Sequence, residues 1–180
     1  MNSIAGQMTT ERADRDAVAG IYLAHGPRLL RFAHALCGNL DQGREAVQEA
    51  FLEILRRPHQ FDPGKGTLLA FLYGLTRNRC RVLRRESRES PLEDQEELAE
   101  VGVDLLEGLA QRERIEWMRA AILLLPPHYR EVLVLVELEG ASYEFAAEAF
   151  GVALGTVRSR LSRARALLER KLRLMEGGVR

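Results

Sequence analysis

Apolar residues recur at helical spacing along most of the chain, and Gly and Pro mark where the pattern stops. Residues 11–24 place Val18, Ile21 and Tyr22 on one face, which predicts a first helix. Gly26-Pro27 is expected to interrupt it. Pro27 then suits the first turn of a second helix carrying Leu29, Leu30, Phe32, Ala33 and Leu36 and ending near Gly38. Asn39 or Asp41 can cap a third, in which Val47, Ala50, Phe51, Ile54 and Leu55 form one stripe up to Pro58. His59 to Gly66 reads as a loop built on the turn Asp62-Pro63-Gly64. Thr67 can cap a fourth helix running to about Arg85, with Leu68, Phe71, Leu72, Leu75, Val82 and Leu83 on its apolar face.

The pattern then breaks. Residues 86–110 are acidic, contain Pro91, Gly102 and Gly108, and predict mainly a flexible linker with at most a turn or two of helix. Helical spacing returns over 111–125 with Ile115, Met118, Ile122 and Leu125, and Pro126-Pro127 end it. The run Val132 to Val136 would pass for a buried strand. We read it as helix, because Pro127 fits a start, Gly140 a stop, and no partner strand is evident. From Ser142 to Leu161, Ala147, Gly151 and Val157 have helix-turn-helix spacing. A small residue stands where two helices cross, a glycine at the turn, and a β-branched residue early in the second helix. That second helix is predicted from about Thr156 to Arg173. The fold class is therefore all-α, with two small helical domains joined by a linker.

Composition narrows the function. The 180 residues are 46% hydrophobic, enough for one domain or two small ones. No apolar run approaches the roughly 20 residues of a membrane span, and the N-terminus lacks a signal-peptide pattern. The expectation is a soluble, cytoplasmic protein without membrane insertion. Cys37 and Cys80 have no CxxC context, so two ordinary half-buried thiols are expected rather than a disulfide or zinc site. His25, His34, His59 and His128 are scattered, and no phosphate loop or nucleophile motif is present. An enzyme is the least expected reading, and no metal, cofactor or small-molecule substrate is implied.

The net charge of zero conceals a segregation: +5 over residues 11–85, −8 over 86–113 and +3 over 114–180. Two basic blocks around an acidic one suggest two nucleic-acid-facing modules and a polar connector. In the first block Arg77, Arg81, Arg84 and Arg88 are spaced four, three and four apart, on one helix stripe. Such a stripe is often only a solvated face. Asn78 within it, Lys65 before it and the scarcity of acidic neighbours favour nucleic-acid contact. In the second block the last helix carries Arg158, Arg160, Arg163, Arg165, Arg170, Lys171 and Arg173 against Glu169 alone.

Two separated stretches together resemble one family. The segment from Leu125 to Leu168, with GTVRSRLSRAR after the helix-turn-helix, is similar to region 4 of sigma factors. The segment from Tyr22 to Ser87, with VQEAF and LYGLTRN, is similar to their region 2. Their order, the acidic linker and the small size resemble the extracytoplasmic-function (ECF) group of the sigma-70 family. The resemblance implies a non-enzymatic protein that binds core RNA polymerase, directs it to promoters and helps open the duplex. It implies a region 2-like domain over 11–86, a linker over 87–110 and a region 4-like domain over 111–175. It places Glu45, Gln48, Glu49 and Phe51 on the clamp of the largest polymerase subunit, and implies a further contact with the flap of the second-largest. It assigns the melted −10 strand to Lys65, Arg77, Asn78, Arg81 and Arg84. The −35 element falls to Thr156, Arg158, Ser159, Arg160 and Arg163. An anti-sigma factor is the partner usual in the family. The chain departs from many members at Gly43-Arg44-Glu45-Ala46, at Phe71 where Trp is common, and at Ala153 where Pro is common. Two other readings compete: a sigma-like decoy for an anti-sigma protein, and a helix-turn-helix regulator with residues 1–85 as a sensing or dimerising domain. The cations of the last helix argue against the decoy, and a repressor would usually be a dimer on a palindrome.

Overall fold

The computed structural model describes the backbone of residues 2–89 and 107–177, and every regular element in it is helical. Three long helices form the N-terminal half: α1 (Asn2–Cys37), α2 (Leu40–Arg56) and α3 (Leu68–Glu89). Four form the C-terminal half: α4 (Glu107–Leu123), α5 (Pro127–Leu133), α6 (Tyr143–Phe150) and α7 (Leu154–Gly177). Most of the acidic linker lies outside the described residues, and its two ends are taken into α3 and α4.

The expected break at Gly26-Pro27 is absent, and α1 runs straight through Pro27. A mid-helix proline loses one hydrogen bond and crowds the carbonyl four residues back, at roughly 3 kcal/mol. Both sides of it are anchored in the same core. Before it, Val18 is buried and Tyr22 packs edge-on against Phe51 at 5.0 Å. After it, Leu29, Phe32 and Ala33 are fully buried. A break at Pro27 would unseat one of these sets, so burial outweighs the local cost.

Other local signals act as the chemistry dictates. Gly38 ends α1 at φ 80°, and Asn39 Oδ1 accepts from the amides of Asp41 and Gln42 at 2.9 and 3.0 Å. Asp62 Oδ1 accepts from the Gly64 amide, closing one of two short 3-10 turns before α3. Thr67 Oγ1 caps α3 by accepting from the Ala70 amide at 3.2 Å. Gly43, which helix propensity alone marks as a weak point, has a packing reason. A Cβ there would stand 3.0 Å from the His34 backbone nitrogen, so the glycine lets α2 cross close to α1. Gly43→Ala is therefore expected to lower the thermal midpoint, although alanine favours helix by about 1 kcal/mol. A raised midpoint would show that α1 yields at His34.

Cys37 and Cys80 are more buried than the sequence suggested, and both are free. The two thiols lie beside each other in the core between α1 and α3, and the Cys80 thiol donates to the Ala33 carbonyl at 3.9 Å. The contact with Cys80 holds the Cys37 thiol below its usual range, while the same contact and burial push Cys80 up.

The apolar run after Pro127 is helical. Val132, Val134 and Leu135 are fully buried within α5 and a π-helical turn, Val134–Leu138. The turn is closed by the Glu139 amide on the Val134 carbonyl at 3.1 Å. Arg130 lies in this core, 3% exposed. Its guanidinium donates to the carbonyls of Ile122 and Leu123, which end α4, of Leu125 just beyond it, and of Leu36 of α1. One buried cation thus satisfies a helix C-terminus and ties it to the other half of the chain.

Candidate nucleic-acid interface

Helices α6 and α7 form the expected helix-turn-helix. Ser142 Oγ caps α6 by accepting from the Phe145 amide at 3.0 Å. Gly151 makes the turn in the left-handed region, at φ 62° and ψ 40°. Val157 is fully buried beneath α7, and Ala147 is half-buried at the crossing. The second helix starts at Leu154, two residues earlier than expected. The Thr156 amide is consequently spent on the Ala153 carbonyl at 2.8 Å. That leaves the Thr156 hydroxyl as its group for an external ligand.

The recognition face is cationic and open. Arg158, Ser159 and Arg163 are exposed and Arg160 is half-buried. Neither Arg158 nor Arg163 forms an ion pair among the described residues. Arg165 differs: its guanidinium is held by Glu137, which raises its pKa. Arg173 pairs with Glu169 one turn back.

The α3 stripe meets the C-terminal half. Arg81 makes a bidentate pair with Glu131, 2.5 and 2.6 Å, and the Glu131 side chain is only 4% exposed. Arg77 lies over the Phe150 ring at 4.9 Å, donates to the Phe150 carbonyl and also binds the Asn78 Oδ1. Burial holds the Arg77 guanidinium below its usual range. Arg84 donates to the carbonyls of Leu36 and Cys37. Lys65 stays on the surface beside Asp62 at 3.3 Å. The loop before α3 is also covered, since Glu148 accepts from the Thr67 amide and hydroxyl. On α1, Arg28 and Arg31 hold Glu139, whose side chain is 4% exposed.

The third set of residues lies on α2. Gln48 is exposed, Glu49 is half-buried and loosely paired with Arg56 at 3.7 Å, and Glu45 is paired with Arg79 of α3. Phe51 is 6% exposed and packs on Tyr22. It belongs to the core and supports α2 from beneath, and its ring is not offered to a partner.

Comparison with known proteins decides the family. Residues 21–89 match sigma-70 region 2 and residues 115–168 match sigma-70 region 4. This chain belongs to the ECF sigma factors of the sigma-70 family. It is 37% identical over 153 residues to the ECF RNA polymerase sigma factor EcfG of Rhodopseudomonas palustris, covering 85% of this chain and 83% of that protein. It is 30% identical over 166 residues to the ECF sigma factor SigM of Mycobacterium tuberculosis, covering 92% and 82%. The sigma factor RpoE of Bartonella quintana, solved with the anti-sigma factor NepR, is 27% identical. It superimposes with a TM-score of 0.64 over 86% of this chain and 96% of that one. CnrH, solved with the cytosolic domain of CnrY, shares the fold at a TM-score of 0.68, 23% identity, and coverage of 93% and 94%. As an ECF sigma factor the chain binds RNA polymerase and directs transcription initiation; it is not an enzyme. Among the described residues no helix is long and apolar enough to cross a membrane.

Sequence reasoning passed over Arg130 and the carboxylates Glu131, Glu139 and Glu148. One signal for the carboxylates was present. Between Glu131 and Glu148 there are five Glu and no Lys or Arg, directly before the basic recognition helix. An acidic patch beside a basic one marks a surface with a cationic partner, and here that partner is the N-terminal half of the same chain.

Proposed function

We propose that this sigma factor divides promoter recognition between its two halves. In the region 4-like domain, 111–175, α7 reads the −35 element. Arg158, Ser159, Arg160 and Arg163 face the major groove, and the Thr156 hydroxyl meets a phosphate at the groove edge. In the region 2-like domain, 11–86, the loop around Lys65 and the face of α3 bearing Arg77, Asn78, Arg81 and Arg84 hold the melted −10 strand. Cations follow its backbone, and the contacts offset the few kcal/mol that unstacking a base costs. The exposed side of α2, with Glu45, Gln48 and Glu49 over Phe51, pairs with basic residues on the polymerase clamp. The region 4-like domain also meets the flap of the second-largest subunit, and the chain is controlled by an anti-sigma factor.

The observation that carries this reading is the state of Arg158 and Arg163: two exposed guanidinium groups without ion-pair partners among the described residues, on a helix fixed by Gly151 and Val157. Permanganate reactivity of unpaired thymines, with core polymerase on a promoter recovered from a genomic fragment library, tests the division. Arg77→Ala with Asn78→Ala is expected to reduce −10 thymine reactivity by about tenfold or more while leaving protection of the −35 element intact. Equal loss of both signals would contradict it.

A further inference from the structure

A cleft of about 460 Å³ lies where α3, α5 and the end of α1 meet. That volume is within the range of pockets that enclose a small organic molecule. Among the described residues that line it, five are arginines, Arg77, Arg81, Arg84, Arg85 and Arg130, and Glu131 is the only carboxylate. Main-chain carbonyls fix three of these guanidinium groups. Phe150 takes Arg77, Leu36 and Cys37 take Arg84, and the end of α4 takes Arg130. A carbonyl orients a guanidinium but carries no net charge to cancel it. A cleft walled by one sign of charge concentrates the opposite sign from solution. The floor is of another kind: Leu36 and Cys80 are 3% and 1% exposed. The half-buried His128 ring stands on the α5 side, against Tyr129 at 4.0 Å. Arg81 and Arg85 are exposed and mark the mouth.

Two features select the ligand. Arg77 and Arg84 are seven residues apart on one helix, about 10.5 Å along its axis. A single phosphate cannot meet both, whereas two or three linked phosphates can, each oxygen pair facing one guanidinium fork. The apolar floor, the His128 ring and the flat guanidinium faces suit a planar ring on the same molecule. A simple polyphosphate would leave that surface uncovered, and an uncharged ring would leave the cations unanswered. We propose that the cleft is a nucleotide site for a nucleoside di- or triphosphate, with the phosphates among the arginines and the base against Leu36 and His128. Arg85, His128 and Arg130 lie outside the set assigned to the −10 strand, so the site stands whether or not α3 holds that strand. A bound nucleotide occupies Arg77, Arg81 and Arg84, and it therefore competes with any strand that α3 takes.

Calorimetric titration of the full chain with ADP, GDP, adenosine and pyrophosphate tests the site. One saturable site is expected for at least one of the two nucleotides, at least about tenfold tighter than for pyrophosphate or adenosine. Arg85→Ala with His128→Ala should weaken nucleotide binding by about tenfold or more, with the nucleotide-free thermal midpoint and the −35 duplex affinity unchanged. Arg85→Glu, at an exposed position where folding is not at issue, should weaken it at least as much. Arg158→Ala with Arg163→Ala, on the recognition helix, should bind nucleotide as the wild type does. Absence of a saturable site for either nucleotide would overturn the proposal. So would pyrophosphate binding as tightly as the nucleotides, or binding that follows the α7 arginines and ignores Arg85 and His128. None of these results bears on promoter melting, which Arg77→Ala with Asn78→Ala tests separately.

Discussion

Arg130→Ala is expected to cost the protein about 3–5 kcal/mol of folding stability, from buried carbonyls left without a donor and the cavity the truncation opens. Total stabilities of domains this size are about 5–15 kcal/mol, so the variant should be largely unfolded under mild denaturant. The guanidinium donates to four carbonyls at 2.6–3.2 Å, two at the end of α4, one just after it and one on α1. Hydrogen bonds from a charged donor contribute roughly 1.5–3 kcal/mol each, but they share one group and do not add. Truncation also leaves the carbonyls facing a void and empties the space of the largest polar side chain in this core. Arg130→Lys keeps the charge but lacks the planar fork that serves several acceptors at once, and should recover only part of the loss. Urea unfolding followed by circular dichroism measures both. A loss below about 1 kcal/mol for the alanine variant would mean that water satisfies the α4 terminus without Arg130.

The second large effect lies in DNA binding. Arg158→Ala with Arg163→Ala should weaken binding to a −35 duplex by a hundredfold or more, on the order of 1–3 kcal/mol for each cation that reads a base. Both side chains are exposed on a helix whose seat depends on Val157, so folding should be untouched. Salt titration separates their roles. Removing a cation that binds phosphate lowers the slope of log affinity against log salt by about 1, whereas removing one that reads a base relaxes sequence preference with little change in slope. Arg165 is the control on the same helix. Its guanidinium is already engaged by Glu137, and Arg165→Ala should change affinity by no more than about threefold.

Much of this architecture was legible because it is local. Asn39, Thr67 and Ser142 cap helices through contacts two or three residues away, and Gly38 and Gly151 stop them through their own φ angles. The helix-turn-helix was visible for the same reason. Pro27 misled because a local rule met a long-range one: Val18 on one side and Leu29 and Phe32 on the other are buried in the same core, and that burial exceeds the local cost of the proline. Phe51 carried two signals at once, a family position and an apolar stripe, and the structure places it with the stripe. The least legible features join residues far apart in sequence. Arg81 with Glu131 and Arg31 with Glu139 are 50 and 108 residues apart. Spacing along one helix identifies a cationic stripe but says nothing of what lies over it. The α3 arginines were read as free for DNA, whereas the structure shows Arg77 and Arg81 engaged by the C-terminal half.

The central claim is that promoter selection resides in the α7 face and duplex opening in the α3 face of one chain. In vitro transcription with purified core polymerase and a genomic fragment library, with 5′ ends sequenced, tests it most directly. The wild-type protein should yield discrete start sites sharing one upstream motif. Arg158→Ala with Arg163→Ala should scatter or abolish those sites. Arg77→Ala with Asn78→Ala should keep the sites and lower their yield, with recovery on templates whose −10 region is already unpaired. Start sites that ignore the α7 substitutions, or an α3 defect that a pre-melted template does not relieve, would contradict the account.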